Sequence, residues 1–218
     1  MQTHRWILGG PLLALAAGTA LAQCPNRLVE RYIPADCEAC WRDAAVPPAG
    51  SAVLDWIVPS ARGDAAPLAA ASLAEAAARA PRIAPDATLE RRHALAARGV
   101  DVRVEDGPIL NGYMGVRLTV RHDGRGSLPD GAAGYIALVE TLAPGEEGSP
   151  VERRLVRQLA GPLTLDPTRK EVEHLLAVRI AVGTRIDGLA PIGWVETPSR
   201  RILTAAVGSA ECGRVEQR

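Results

Sequence analysis

The chain has 218 residues, with 25 Lys plus Arg against 25 Asp plus Glu, 47% hydrophobic and 3% aromatic residues, and no Phe. That length accommodates one or two domains. A mean hydropathy of +0.02 and an isoelectric point near 6.9 exclude the basic footprint expected of a nucleic-acid binder or an anionic membrane-surface binder.

Residues 1–22 read as a secretory signal peptide. Arg5 supplies the charge, residues 6–17 are apolar apart from Gly9, Gly10 and Pro11, and Ala20-Leu21-Ala22 has the small-x-small form that signal peptidase needs. Cleavage after Ala22 leaves a mature chain in an oxidising space, periplasmic or secreted. The apolar run is shorter than the roughly 20 residues of a spanning helix, and no later stretch matches it, so no transmembrane segment is expected. A lipoprotein anchored at Cys24 is the weaker reading, because Gln23 is bulky where lipidation favours a small residue.

All four cysteines lie in the mature chain: Cys24, Cys37, Cys40 and Cys212. An even count in an exported protein makes disulfides the default. The Cys-x-x-Cys spacing of Cys37 and Cys40 predicts a local pair, leaving Cys24 and Cys212 as an end-to-end staple. In the chain-entropy model that staple contributes roughly 5 kcal/mol of stability. No metal is expected: His93, His122 and His174 are scattered singly, and no second Cys-x-x-Cys completes a four-ligand zinc set. No other cofactor is implied.

In chain order, residues 27–33 predict a strand, ended by Pro34-Ala35-Asp36 before Cys37. Pro47-Pro48 allows only about one helical turn after the cysteines. Residues 52–58 predict a mostly buried strand, residues 66–79 an Ala-rich helix, and residues 88–98 a second helix ending at Gly99. After Gly99 the period changes to two. Seven short strands are predicted, around residues 102–105, 116–120, 135–140, 153–159, 174–180, 191–196 and 201–207, separated by Gly- and Pro-rich turns. Pro108-Ile109-Leu110-Asn111-Gly112 is assigned to this strand region. The expected fold class is α+β: a small thioredoxin-like α/β unit over residues 23–99, followed by an antiparallel β-sandwich over residues 100–218.

Leu28-Val29-Glu30, Asp36-Cys37-Glu38-Ala39-Cys40, the strand through Trp56, residues 153–159 and Trp194-Val195-Glu196 together resemble a family of uncharacterised secreted proteobacterial proteins, thioredoxin-like at the N-terminus with a C-terminal β-sandwich. The resemblance implies a thioredoxin-like unit and no settled substrate. The chain departs from the thioredoxin pattern in having no Thr-Pro before an apolar strand ahead of residue 100, so the unit is read as incomplete.

If the dithiol is active, Cys37 attacks and Cys40 resolves. Asp36 and Glu38 flank the attacker and oppose a thiolate, with Arg42 the local compensation, and Trp41 borders the site. Two functions follow. One is a weak thiol-disulfide oxidoreductase or redox-sensitive domain using Cys37 and Cys40 on a protein thiol client. The other is a non-enzymatic periplasmic binding or structural protein with two inert disulfides. No Gly-x-Ser-x-Gly elbow or phosphate-cradling glycine loop supports a hydrolase or nucleotide enzyme.

Overall fold

The computed structural model describes residues 24–95, 99–122 and 128–208 and the backbone of residues 211–212. The signal-peptide reading and the Cys212 side chain lie outside them. Eleven strands and two short helices follow in order: β1 (Arg27–Pro34), α1 (Glu38–Trp41), β2 (Ser51–Val58), α2 (Ala74–Arg79), β3 (Leu89–Ala94), β4 (Val100–Leu110), β5 (Tyr113–His122), β6 (Ala133–Leu142), β7 (Arg153–Thr164), β8 (Glu171–Arg179), β9 (Leu189–Glu196), β10 (Ile202–Val207) and β11 (Glu211–Cys212).

The strands form two sheets, one of seven strands in the order β10-β9-β6-β7-β2-β1-β3 and one of four in the order β11-β4-β5-β8. The expected α+β fold, a thioredoxin-like unit followed by a sandwich, is therefore corrected. The fold is predominantly β. β1, β2 and β3 belong to the same sheet as β6, β7, β9 and β10, and the helices are only four and six residues long. β1 and β2 pair in parallel along their full length, from Arg27↔Ser51 to Pro34↔Val58.

The two predicted helices fail for separate physical reasons. Residues 88–98 contain good helix formers, but β1 would otherwise be an open edge over buried Leu28 and Tyr32. Residues 89–94 instead extend as β3, pairing His93 with Leu28 and Leu89 with Tyr32; tertiary pairing overrides propensity. The Ala-rich run 66–79 is interrupted because Leu73 N donates to Ile57 O at 3.1 Å and Ser72 bridges Ile57 in parallel. An N–H committed to a strand cannot serve a helix, so a 3-10 turn (Ala69–Ala71) and α2 stand where one helix was expected. The seven later strands form where the two-residue period placed them. Asn111-Gly112, with φ of 50° and 78°, makes the tight turn between β4 and β5.

The seven-stranded sheet has two different faces. On one, Tyr32, Trp56, Val156, Ala137, Ile192 and Trp194 pack under α2. On the other, the β6, β9 and β10 half packs Ile136, Leu138, Val195, Leu203 and Ala206 against Val102, Val104, Val116, Leu118 and Val120 of the second sheet. Close approach here depends on missing side chains: a Cβ on Gly193 would meet Leu118 Cδ1 at 2.7 Å and Val104 Cβ at 3.0 Å, and one on Gly134 would meet Leu118 Cδ2 at 2.7 Å. Gly193→Ala is expected to cost about 1–3 kcal/mol by overpacking, measured as a lower urea midpoint at unchanged slope. The β1, β2 and β7 half of that second face carries α1 and the cysteines, with Ile33, Ile57, Leu142 and Leu155 beneath them.

Candidate functional site: a buried disulfide and the loop it anchors

Pro34 ends β1, and the chain turns immediately: Ala35 N donates to Val58 O at 2.9 Å and Cys37 N to Pro34 O at 3.0 Å. Cys37 caps α1, its Sγ accepting from Cys40 N at 3.1 Å. Cys37 and Cys40 are joined in a disulfide, with Cα atoms 5.2 Å apart. Each residue is only 7% exposed, within an apolar cluster of Ile33, Ala35, Trp41, Ile57, Ala66, Leu142 and Leu155.

The flanking acids are turned to arginines. Glu38 pairs with Arg42 at 3.0 Å on the exposed face of α1, and Asp36 lies 3.7 Å from Arg62. Exposed pairs such as Glu38–Arg42 contribute a few tenths of a kcal/mol, so they adjust the local field rather than hold the site. Trp41 is 3% exposed, and its Nε1 donates to Glu147 O at 2.7 Å. Cys24 is disulfide-bonded. Its expected partner, Cys212, lies on β11, which pairs with β4.

Two buried arginines hold the segment that follows the cysteines. Arg153 donates through Nη2 to Trp41 O at 2.5 Å and Asp43 O at 2.7 Å, and through Nε to Ser149 Oγ at 2.9 Å. Its guanidinium stacks 5.1 Å from the Trp41 ring centre. Burial lowers the Arg153 pKa, with Asp55 and Asp43 opposing that effect. Arg31 donates to Asp55 through Nε at 2.5 Å and Nη2 at 2.8 Å, and through Nη1 to Ala45 O at 3.0 Å. Asp55 Oδ2 also accepts the backbone N–H of Arg154 at 2.8 Å. That bond matters to the whole sheet, because β2 and β7 share a single register pair, Asp55↔Leu155. Asp55 is thus the rivet between β1 and β2 on one side and β7 on the other.

The anchored loop forms one wall of a groove of about 410 Å³. The groove is lined by Val46, Pro47, Pro48 and Ala49 of the loop together with Arg31, Val53, Pro144, Pro150 and Val151.

Cys37, Cys40, Asp36, Glu38 and Trp41, the residues expected around the dithiol, lie together at α1. Arg31, Asp55 and Arg153 were not among those expected. A readable signal existed for one of them: Asp55 is the lone charge in Ala-Val-Leu-Asp-Trp-Ile-Val, and a buried charge requires a partner. Removing the disulfide by a paired Cys37→Ala, Cys40→Ala change is expected to cost roughly 2 kcal/mol for so short a loop, measured by denaturant unfolding. Among the described residues, no group of three or more His, Cys, Asp or Glu side chains is placed to hold a metal, and no helix is long and apolar enough to cross a membrane.

No family model matches the chain, and no curated protein matches it. A solved structure, HBP35 of Porphyromonas gingivalis, is similar over 91% of this chain and 79% of that one, with a TM-score of 0.51 and 10% sequence identity. At that identity the likeness describes a shared fold alone.

Proposed function

We propose that this is an exported, non-enzymatic binding or structural protein in which the cysteine pairs are inert and the Cys37–Cys40 disulfide anchors a surface loop. The observation that carries the reading is the burial of both cysteines, 7% exposed each, in an apolar cluster beneath a loop fixed by Arg153 and Trp41. Exchange requires a client thiolate to reach one sulfur, and cysteines enclosed in apolar surroundings are inert. Export is supported by the signal-peptide pattern of residues 1–22 together with disulfide bonding.

One contact favours the alternative of a thiol-disulfide oxidoreductase. The Cys40 N–H aimed at Cys37 Sγ would stabilise a Cys37 thiolate. The readings separate in a trapping experiment. A Cys40→Ser protein incubated with an oxidised model client is expected to remain unmodified by intact mass. A stable mixed disulfide at Cys37 would overturn the inert reading.

A further inference from the structure

On the β7 side of β2, the sheet is split above and below the single Asp55↔Leu155 pair. Above it, the chain closes the split from within. β1 already occupies the other side of Ile57, through Ile33, so the bridge from Ile57 to Ser72 and the bond from Leu73 N to Ile57 O lie on the β7 side. Residues 72–73 therefore act as a short inserted strand, passing from the disulfide face of the sheet to the α2 face.

Below the rivet the split stays open. Counted back in parallel register from Asp55↔Leu155, Ser51 would meet Val151, but among the described residues the β2–β7 register holds only the Asp55↔Leu155 pair and does not extend to residues 51–54. In a strand, successive residues alternate in direction, and a parallel ladder to β1 uses one side only. Half of the peptide groups in this stretch therefore point towards the split. The 410 Å³ groove lies along this stretch, and its volume falls within the usual range of ligand sites.

We infer that this groove receives an extended, uncharged, aliphatic segment of another polypeptide, which adds to β2 as a short strand. The inference rests on the binding-protein reading above and names the partner chemistry. Three observations select the occupant. The groove continues the same strand edge that residues 72–73 already cover by backbone pairing. Its walls are Val46, Pro47, Pro48, Pro144, Pro150 and Val151, which suit small apolar side chains and offer no competing N–H from the prolines. Its charges are already matched: Arg31 is used by Asp55 and Ala45 O, while Arg154 is used by Glu152 and Thr141 Oγ1, so no unpaired cation or anion invites an ionic ligand. Strand addition supplies affinity through main-chain hydrogen bonds and selectivity through alternate side chains.

The test uses the full mature protein, its Cys37–Cys40 disulfide verified by intact mass, and two probes. One is the pentapeptide acetyl-Val-Thr-Val-Thr-Val-amide; the other is the same peptide N-methylated at alternate residues. Binding is followed by amide chemical shifts and isothermal titration. The expected result is a shift centred on residues 51–54, at least tenfold weaker binding of the N-methylated peptide, and loss of binding in Ala49→Trp and Val151→Trp variants that keep the wild-type melting midpoint. Absence of binding, equal affinity of the two peptides (an apolar small-molecule pocket), or a concentration-dependent dimer abolished by Ala49→Trp (a second copy of this chain as occupant) would each overturn the inference. Since the disulfide is checked in the same sample, failure here leaves the inert-disulfide reading standing. That reading fails instead by a mixed disulfide.

Discussion

Asp55→Ala is expected to cost about 3–5 kcal/mol of folding stability, the range for removing one partner of a buried ion pair. The side chains of Arg31 and Asp55 are 4% and 0% exposed, so water cannot compensate for the charge left on Arg31. The same substitution strands the Arg154 N–H at the one place where β2 and β7 join. A second readout distinguishes the rivet from a generic core defect: hydrogen exchange at residues 51–58 and 153–157 should accelerate more than exchange in β4 and β5 of the other sheet. A loss below about 1 kcal/mol, typical of surface ion pairs, would show that the sheet is held elsewhere.

Arg79→Met is expected to be comparably costly and to reverse the acid dependence of stability. Arg79, on the short α2, is 7% exposed and lies over three aromatic rings, with its guanidinium carbon 5.6 Å from Trp56, 5.3 Å from Tyr135 and 5.3 Å from Trp194. It pairs with Glu30 at 3.1 Å and Glu196 at 2.7 Å; Trp194 Nε1 also donates to Glu196, and His93 Nε2 to Glu30. Burial alone would raise the Glu30 carboxyl, but the His93 hydrogen bond and the Arg79 charge outweigh it and hold it below its usual value. Burial likewise disfavours the Arg79 charge, and Glu30 and Glu196 overcome it, holding its pKa above the ordinary arginine value.

In the wild type, the depressed Glu30 therefore contributes stability above the unfolded carboxylate value, and this is lost as pH falls through the folded value. Without the Arg79 charge, burial weighs more heavily on Glu30 and its carboxyl moves upwards. A raised carboxyl contributes stability below its unfolded value that is lost as pH rises through the folded one. Arg79→Met should lose roughly 3–5 kcal/mol at pH 7 and recover part of it towards pH 5, an interval over which the wild-type Glu30 contribution does not grow. Unfolding midpoints at the two pH values measure both effects, and parallel pH curves for the two proteins would contradict the assignment.

Nine of the strands, all but β3 and β11, were legible in the sequence because they alternate apolar and polar residues or run continuously apolar between Gly and Pro turns; Val116, Leu118 and Val120 are the plainest case. Sheet membership was not legible. Nothing local in Ser51–Val58 says that it lies between β1 and β7, since that placement depends on the Asp55 contacts with Arg31 and Arg154, 24 and 99 positions away. The helix expected over residues 88–98 shows the same limit: local propensity was read correctly and lost to an open strand edge. The cysteine pair was legible from spacing alone, and so was the single helical turn that follows it. The arginines holding that turn were not. Arg153 clamps carbonyls 112 and 110 residues away, and a carbonyl leaves no mark in a sequence.

The most direct test of the account is the reduction potential of the Cys37–Cys40 pair in the folded mature protein, obtained by alkylation and intact mass across a series of dithiothreitol ratios. A structural anchor predicts a value below roughly −300 mV, beyond the reach of the glutathione pool. A value between roughly −270 and −120 mV, the range of exchange catalysts, would contradict it and move the function of the site to thiol chemistry.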